Sequence, residues 1–148
     1  MVKKLFLSLG LASLVVSGAF ACTPGGCTPG FWKQSHHLGY WETNSPDNLY
    51  GGTFGVALAP DVTLLEALWL KGNKDGLTQL VRASTASLLN LNAGLNLIVV
   101  INGSTYKMKG IEDVDILKGL VQEAFAGAID VEELKDELDK ANNERCPF

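Results

Sequence analysis

The stretch Leu77-Thr78-Gln79-Leu80-Val81-Arg82-Ala83-Ser84-Thr85-Ala86-Ser87-Leu88-Leu89-Asn90-Leu91-Asn92 decides the fold. Leu77, Leu80, Val81, Leu88 and Leu91 fall on one stripe at the roughly 3.6-residue repeat of an α-helix, and Asn92 and Gly94 end it. A stripe of that length needs partners, and both flanks offer helices. Upstream, Thr63 and Glu66 have capping-box spacing, which satisfies exposed backbone donors at a helix start. That first helix runs through Leu64, Leu65, Leu68, Trp69 and Leu70 to Gly72, and Asn73-Lys74-Asp75-Gly76 is a turn. Downstream, Val114, Leu117, Val121, Ala124, Phe125 and Ala128 form the inward stripe of a third helix over 113–128. Asp130, three residues before Glu133, caps a fourth, whose stripe is Val131, Leu134, Leu138 and Ala141.

Between the second and third helices the period changes. Leu97 to Ile101 is a β-branched run, then Asn102-Gly103, then Ser104-Thr105-Tyr106. Asn-Gly between such runs is a strong hairpin signal. Asn102-Gly103-Ser104 also fits a glycosylation acceptor. An isolated hairpin is marginal in water. It is therefore expected either to pack on the first and second helices or to pair, through Leu97, Val99, Val100 and Ile101, with a strand or tail of a neighbouring subunit.

The N-terminal third is of another kind. Cys22-Thr23-Pro24-Gly25-Gly26 is followed by Cys27-Thr28-Pro29-Gly30-Phe31, a tandem repeat whose Pro-Gly pairs suit tight turns. Phe31 to Trp41 is dense in aromatics, with room for a short helical turn, and Thr43 to Pro60 reads as loop. The expected fold is mainly α: about four helices, one small β-hairpin and an extended, turn-rich N-terminal region.

The first 21 residues stand apart. Lys3 and Lys4 precede an apolar run from Leu5 to Phe20, and Ala19-Phe20-Ala21 makes a small-x-small cleavage site. This is the pattern of a secretory signal peptide. The run falls short of the ~20 residues that a membrane-spanning helix needs. Residues 22–148 are then one extracellular domain without a transmembrane segment, with 22–26 as an N-terminal extension. The formal charge of the whole chain is −4, and loss of Lys3 and Lys4 takes it to −6. Seven acids lie between Asp130 and Glu144, where a solvated helix face accounts for them. An acidic domain with no basic stripe is a poor partner for nucleic acid, whose phosphates need clustered Lys or Arg.

Cys22, Cys27 and Cys146 are the only cysteines. Three is odd, so outside the cytoplasm one is left over, modified or paired between chains. As the first residue after cleavage, Cys22 invites a lipid anchor, but Ala19 and Phe20 suit ordinary cleavage better.

Cys27-Thr28-Pro29-Gly30-Phe31-Trp32-Lys33 resembles the opening of a domain found in bacterial and archaeal extracellular proteins. That domain continues with a Thr-Leu-Leu-x-Ala-Leu helix, a Leu-x-Arg-x-x-x-Ala-x-Leu-Leu-Asn helix and a closing Asn-Asn-x-x-Cys-Pro. The chain offers Thr63-Leu64-Leu65-Glu66-Ala67-Leu68, then Leu80-Val81-Arg82 with Ala86-Ser87-Leu88-Leu89-Asn90, then Asn142-Asn143-Glu144-Arg145-Cys146-Pro147. The resemblance implies a secreted surface module whose terminal cysteines, Cys27 and Cys146, are joined; Cys22–Cys27 is the main rival pairing. The extra Cys22-Thr23-Pro24-Gly25-Gly26 copy departs from the family's opening and supplies the odd thiol, which is either lipid-bearing or a link to a neighbouring subunit.

Other constellations carry less. Cys22, Cys27, His36 and His37 match no standard zinc spacing, so neither a metal nor a cofactor is expected. Trp32, Tyr40 and Trp41 are candidates for a sugar-stacking surface, against the plainer reading of core aromatics beside a disulfide. No zinc-protease helix, nucleophile elbow or phosphate loop is present, so no catalytic residue is assigned. The expected function is a secreted, non-enzymatic structural or interaction module. It partners with itself as a homo-oligomer, extracellular filament or surface assembly, or else binds glycans or other surface proteins; a secreted enzyme of unknown type is the third reading.

Overall fold

The computed structural model describes residues 25–71 and 75–148. The expected signal peptide, Cys22 and the turn around Asn73 lie outside the described residues. The fold is mainly helical with one antiparallel hairpin. In chain order it has α1 (Pro29–Trp32), a 3₁₀ segment (Ser35–Tyr40), α2 (Tyr50–Phe54), α3 (Leu64–Trp69) and α4 (Gly76–Asn92). Then follow β1 (Asn96–Ile101), β2 (Ser104–Lys109), a second 3₁₀ turn (Gly110–Asp113), α5 (Val114–Phe125) and α6 (Val131–Asn142).

The central element is α4, which carries the stripe of Leu80, Val81, Leu88 and Leu91 and packs on α1, α3, α5, α6 and β1. It starts on the Asp75 side chain, which accepts from Leu77 N. One face enters the main core through Leu80, Val81, Leu88 and Leu91, as the stripe predicts. The burial goes further than the stripe. Every residue from Ala83 to Leu91 is buried, including Ser84, Thr85, Ser87 and Asn90. Ser84 and Thr85 donate to carbonyls one turn back, Leu80 O at 2.6 Å and Val81 O at 2.8 Å, so their hydroxyls are satisfied within the helix.

The capping signals hold. Thr63 Oγ1 accepts from Glu66 N while a Glu66 carboxylate oxygen accepts from Thr63 N, closing the box that starts α3. Asp130 accepts from Glu132 N and Glu133 N at the start of α6. Two details of the third helix change. Helix α5 ends at Phe125 because Gly127 takes a positive φ of 82°. That turn exposes Ala128, expected inward, and hands the inward place to Ile129. The segment 43–60, expected to be loop throughout, contains α2. Its glycines are poor helix formers. Tertiary contacts hold it instead: Tyr50 and Phe54 stack at 4.5 Å within the core, and Asp61 Oδ1 accepts from Gly51 N.

The hairpin pairs Leu97 with Met108, Val99 with Tyr106 and Ile101 with Ser104. Asn102 and Gly103, at φ 50° and 77°, make the turn whose twist suits a two-residue hairpin. Leu97, Val99 and Ile101 face the core, and β1 packs mainly on α6 and then α4, not on the first helix as expected. The outer edge of β1 is engaged within the chain. Gly25 N donates to Asn96 O at 3.0 Å. Val100 N donates to Glu137 Oε2 at 2.9 Å, and Asn102 N to Glu133 Oε1 at 2.8 Å. So two of the seven acids around α6 are not a solvated face. They occupy part of the backbone through which Leu97, Val99, Val100 and Ile101 would pair with a neighbour, the second of the two outcomes expected for the hairpin.

Candidate functional site

Chemistry concentrates where the two ends of the domain meet α4. Thr28 caps α1 by accepting from Phe31 N, and Pro29 occupies the first helical position, where its missing N–H costs nothing. This turn aims Cys27 at the C-terminal segment. Cys27 and Cys146 are joined by a disulfide, 119 residues apart in sequence with their Cα atoms 4.7 Å apart. Beneath it, Asn90 is saturated. Its Oδ1 accepts from Cys27 N at 2.8 Å and Trp32 Nε1 at 2.9 Å. Its Nδ2 donates to Cys27 O and to Asn142 Oδ1, both at 2.9 Å. Asn142 in turn accepts from Ser87 Oγ at 2.9 Å and donates to Ala83 O at 3.0 Å. A buried amide with all its bonds made fixes orientation, because any rotation leaves a polar atom unpaired at a cost of about 1–3 kcal/mol.

The segment ahead of the disulfide belongs to this site. Gly25 and Gly26, expected to be part of an N-terminal extension of the domain, are buried. A Cβ on Gly26 would collide with the Ala141 carbonyl and crowd Asn142 Cα, so the chain passes the end of α6 only without a side chain there.

The aromatic candidates separate. Trp32 is fully buried beside the disulfide, and its ring offers no face to a ligand. Trp41 is half-buried, and its Nε1 donates to Trp32 O at 3.3 Å. Tyr40 remains exposed, 5.1 Å from the ring of Phe148, which folds back onto Phe31. His37 stacks on Phe31 at 3.9 Å, with its Nδ1 2.7 Å from Phe31 O. Cys27 is spoken for by its disulfide, so the zinc set weighed from the sequence loses its described thiolate.

The exposed tryptophan is another one. Trp69 ends α3 and is 55% exposed. It falls off the inward stripe of Leu64, Ala67 and Leu68, a displacement readable from helical spacing that the grouping of Trp69 with its apolar neighbours concealed. Lys33 Nζ lies 4.2 Å from the centre of its ring. On one side of Lys33 a depression of about 480 Å³ is lined by Gln34, His36, Leu38, Leu65 and Trp69. On the other, a cleft of about 380 Å³ is lined by Thr28, Leu68, Arg82, Asp139 and Asn143. Burial pushes the Asp139 carboxyl above the usual carboxylate range, and the charges of Arg82 and Lys135 offset this only in part.

No family model, curated protein or solved structure matches the chain. Among the described residues, no helix is long and apolar enough to cross a membrane.

Proposed function

We propose that the chain is a secreted, non-enzymatic structural module, a building block of an extracellular filament or surface assembly. The observation that carries this reading is the closure of the Cys27 and Cys146 ends of the described domain onto α4, by the disulfide and by the saturated Asn90–Asn142 pair. A cystine persists in oxidising surroundings, outside the cytoplasm. A subunit that must hold its shape in an assembly gains from ends that cannot fray. Outside that closed frame, the surface carries large apolar side chains at Tyr40, Leu49, Trp69, Ile111 and Phe148, the raw material of subunit contacts. The resemblance of the opening and closing motifs to secreted surface domains points the same way. Cys22, ahead of the closed frame, is the thiol available for a covalent link between subunits.

Electron microscopy of material shed from the source cells, and of the purified oxidised protein, tests this reading. Filaments or ordered arrays containing the chain are the expected result. Dispersed monomers in both samples, at every concentration tried, would overturn it. A non-reducing gel comparing native protein with Cys22→Ser tests the link: a reducible dimer present only in the native protein is expected.

A further inference from the structure

We infer that the groove running past Lys33, from Trp69 to Arg82 and Asp139, binds a neutral polysaccharide, with a pyranose ring on Trp69 and hydroxyls between Arg82 and Asp139. The inference goes beyond assembly and would hold for a monomer or a filament alike. Both ends of the groove have the size of ordinary ligand sites, about 300–1,000 Å³. Lys33 lines both and stands between them, so one extended polymer lying across it would reach the two clefts.

The chemistry selects the ligand class. The Trp69 side chain is 55% exposed, and the Lys33 ammonium lies over its ring, so a sugar stacking on that face would take the place of Lys33. The C–H face of a pyranose carries the same partial positive charge without the desolvation cost of an ammonium, so it suits the same π surface. At the other end, Arg82 and Asp139 line one cleft. Neither makes a side-chain hydrogen bond or an ion pair within 4.0 Å among the described residues. An anion entering there would meet Asp139, and a cation would meet Arg82 and Lys33. A hydroxyl both donates and accepts, so one sugar can serve both charges, with the Asn143 amide alongside. An uncharged polyol with one apolar face is the ligand that fits both ends.

The test is electrophoresis of the secreted, disulfide-bonded protein through native gels containing hydroxyethylcellulose, a neutral mannan, glycol chitosan as a cationic arm, or polygalacturonate as an anionic arm. Retardation by a neutral polysaccharide is expected. Trp69→Ala and Asp139→Ala should each weaken it about tenfold or more while leaving mobility in plain gels and the circular dichroism spectrum unchanged. Four results would overturn the inference: no retardation by either neutral polymer, retardation by a charged polymer alone, retardation unaltered by Trp69→Ala, or loss of self-association in Trp69→Ala without any sugar binding. The last would make the groove a subunit contact. Loss of sugar binding with assembly intact separates this inference from the assembly reading.

Discussion

The two faces of α4 do opposite kinds of work. One, bearing Leu80, Val81, Leu88 and Leu91, packs into the large apolar core formed with α5, α6 and the hairpin. The other, bearing Ala86, Ser87, Leu89 and Asn90, meets Cys27 and Trp32 from the chain's start and Asn142 from its end. The first face is held by area, which tolerates exchange among apolar residues of similar volume. The second is held by directional bonds, each tied to one partner. The comparison teaches that the helix stabilises the molecule by burial on one side and specifies where the termini go on the other.

The most damaging change should fall on the directional face. Asn90→Leu strands Cys27 N, Cys27 O, Trp32 Nε1 and Asn142 together, and at about 1–3 kcal/mol per stranded group the expected loss is ~4 kcal/mol or more. Urea unfolding monitored by circular dichroism would show it, and a loss under ~1 kcal/mol would erase the distinction between the faces. On the apolar face, Leu88→Ala should cost about 2–5 kcal/mol, while Leu88→Met stays under ~1.5 kcal/mol. Cys27→Ser with Cys146→Ser should cost about 2–4 kcal/mol and lower the melting temperature by several degrees. Combined with Asn90→Leu, it should cost less than the sum, because both act on Cys27. Gly26→Ala should cost about 1–3 kcal/mol, through the collision with the end of α6.

The smallest effect is expected at Asp139, on the rim of the directional face. Its folded carboxyl binds a proton more tightly than the unfolded one, because burial disfavours the charge. The wild type therefore gains stability as pH falls from above that raised value to the ordinary 3.8, and gains nothing more from this group below it. Asp139→Asn should be slightly the more stable protein at neutral pH, and the difference should close in acid. Melting temperatures of the two proteins across pH 3–7 check the sign.

Much of the apolar face is legible in the sequence, because period and caps are local: Leu80 to Leu91, the Thr63–Glu66 box, the Asp130 cap and the Asn102-Gly103 turn all follow from spacing. The directional face is only half legible. The opening, helical and closing motifs contain Cys27, Trp32, Asn90, Asn142 and Cys146, yet nothing in their spacing says that the Asn90 amide joins Cys27, Trp32 and Asn142. That contact spans 63 residues between Cys27 and Asn90, and no periodicity reaches so far. Helix α2 was illegible for a related reason, since Gly51 and Gly52 oppose a helix that tertiary contacts impose. The groove stayed hidden because Lys33, Trp69, Arg82 and Asp139 come from four separate elements, and no motif unites them.

The carboxylates on the outer edge of β1 bear on growth. Glu133 and Glu137, one helical turn apart on α6, meet the amides of Asn102 and Val100, two residues apart on the strand. Rise along a helical turn and along two strand residues is nearly the same length, about 5–7 Å, so the pair stands in for a missing neighbour strand. The hairpin thus has at most one margin to offer, and there Lys109 N already donates to Asp113 Oδ2 at 2.7 Å. That margin, β2, carries Lys107 and Lys109, whose charges discourage edge-to-edge contact. Joining two such hairpins through β2 would use up the available margin of both and stop at a pair. Among the described residues, a polymer of this chain would then grow through the helices and the aromatic surface, with the sheet as a passenger.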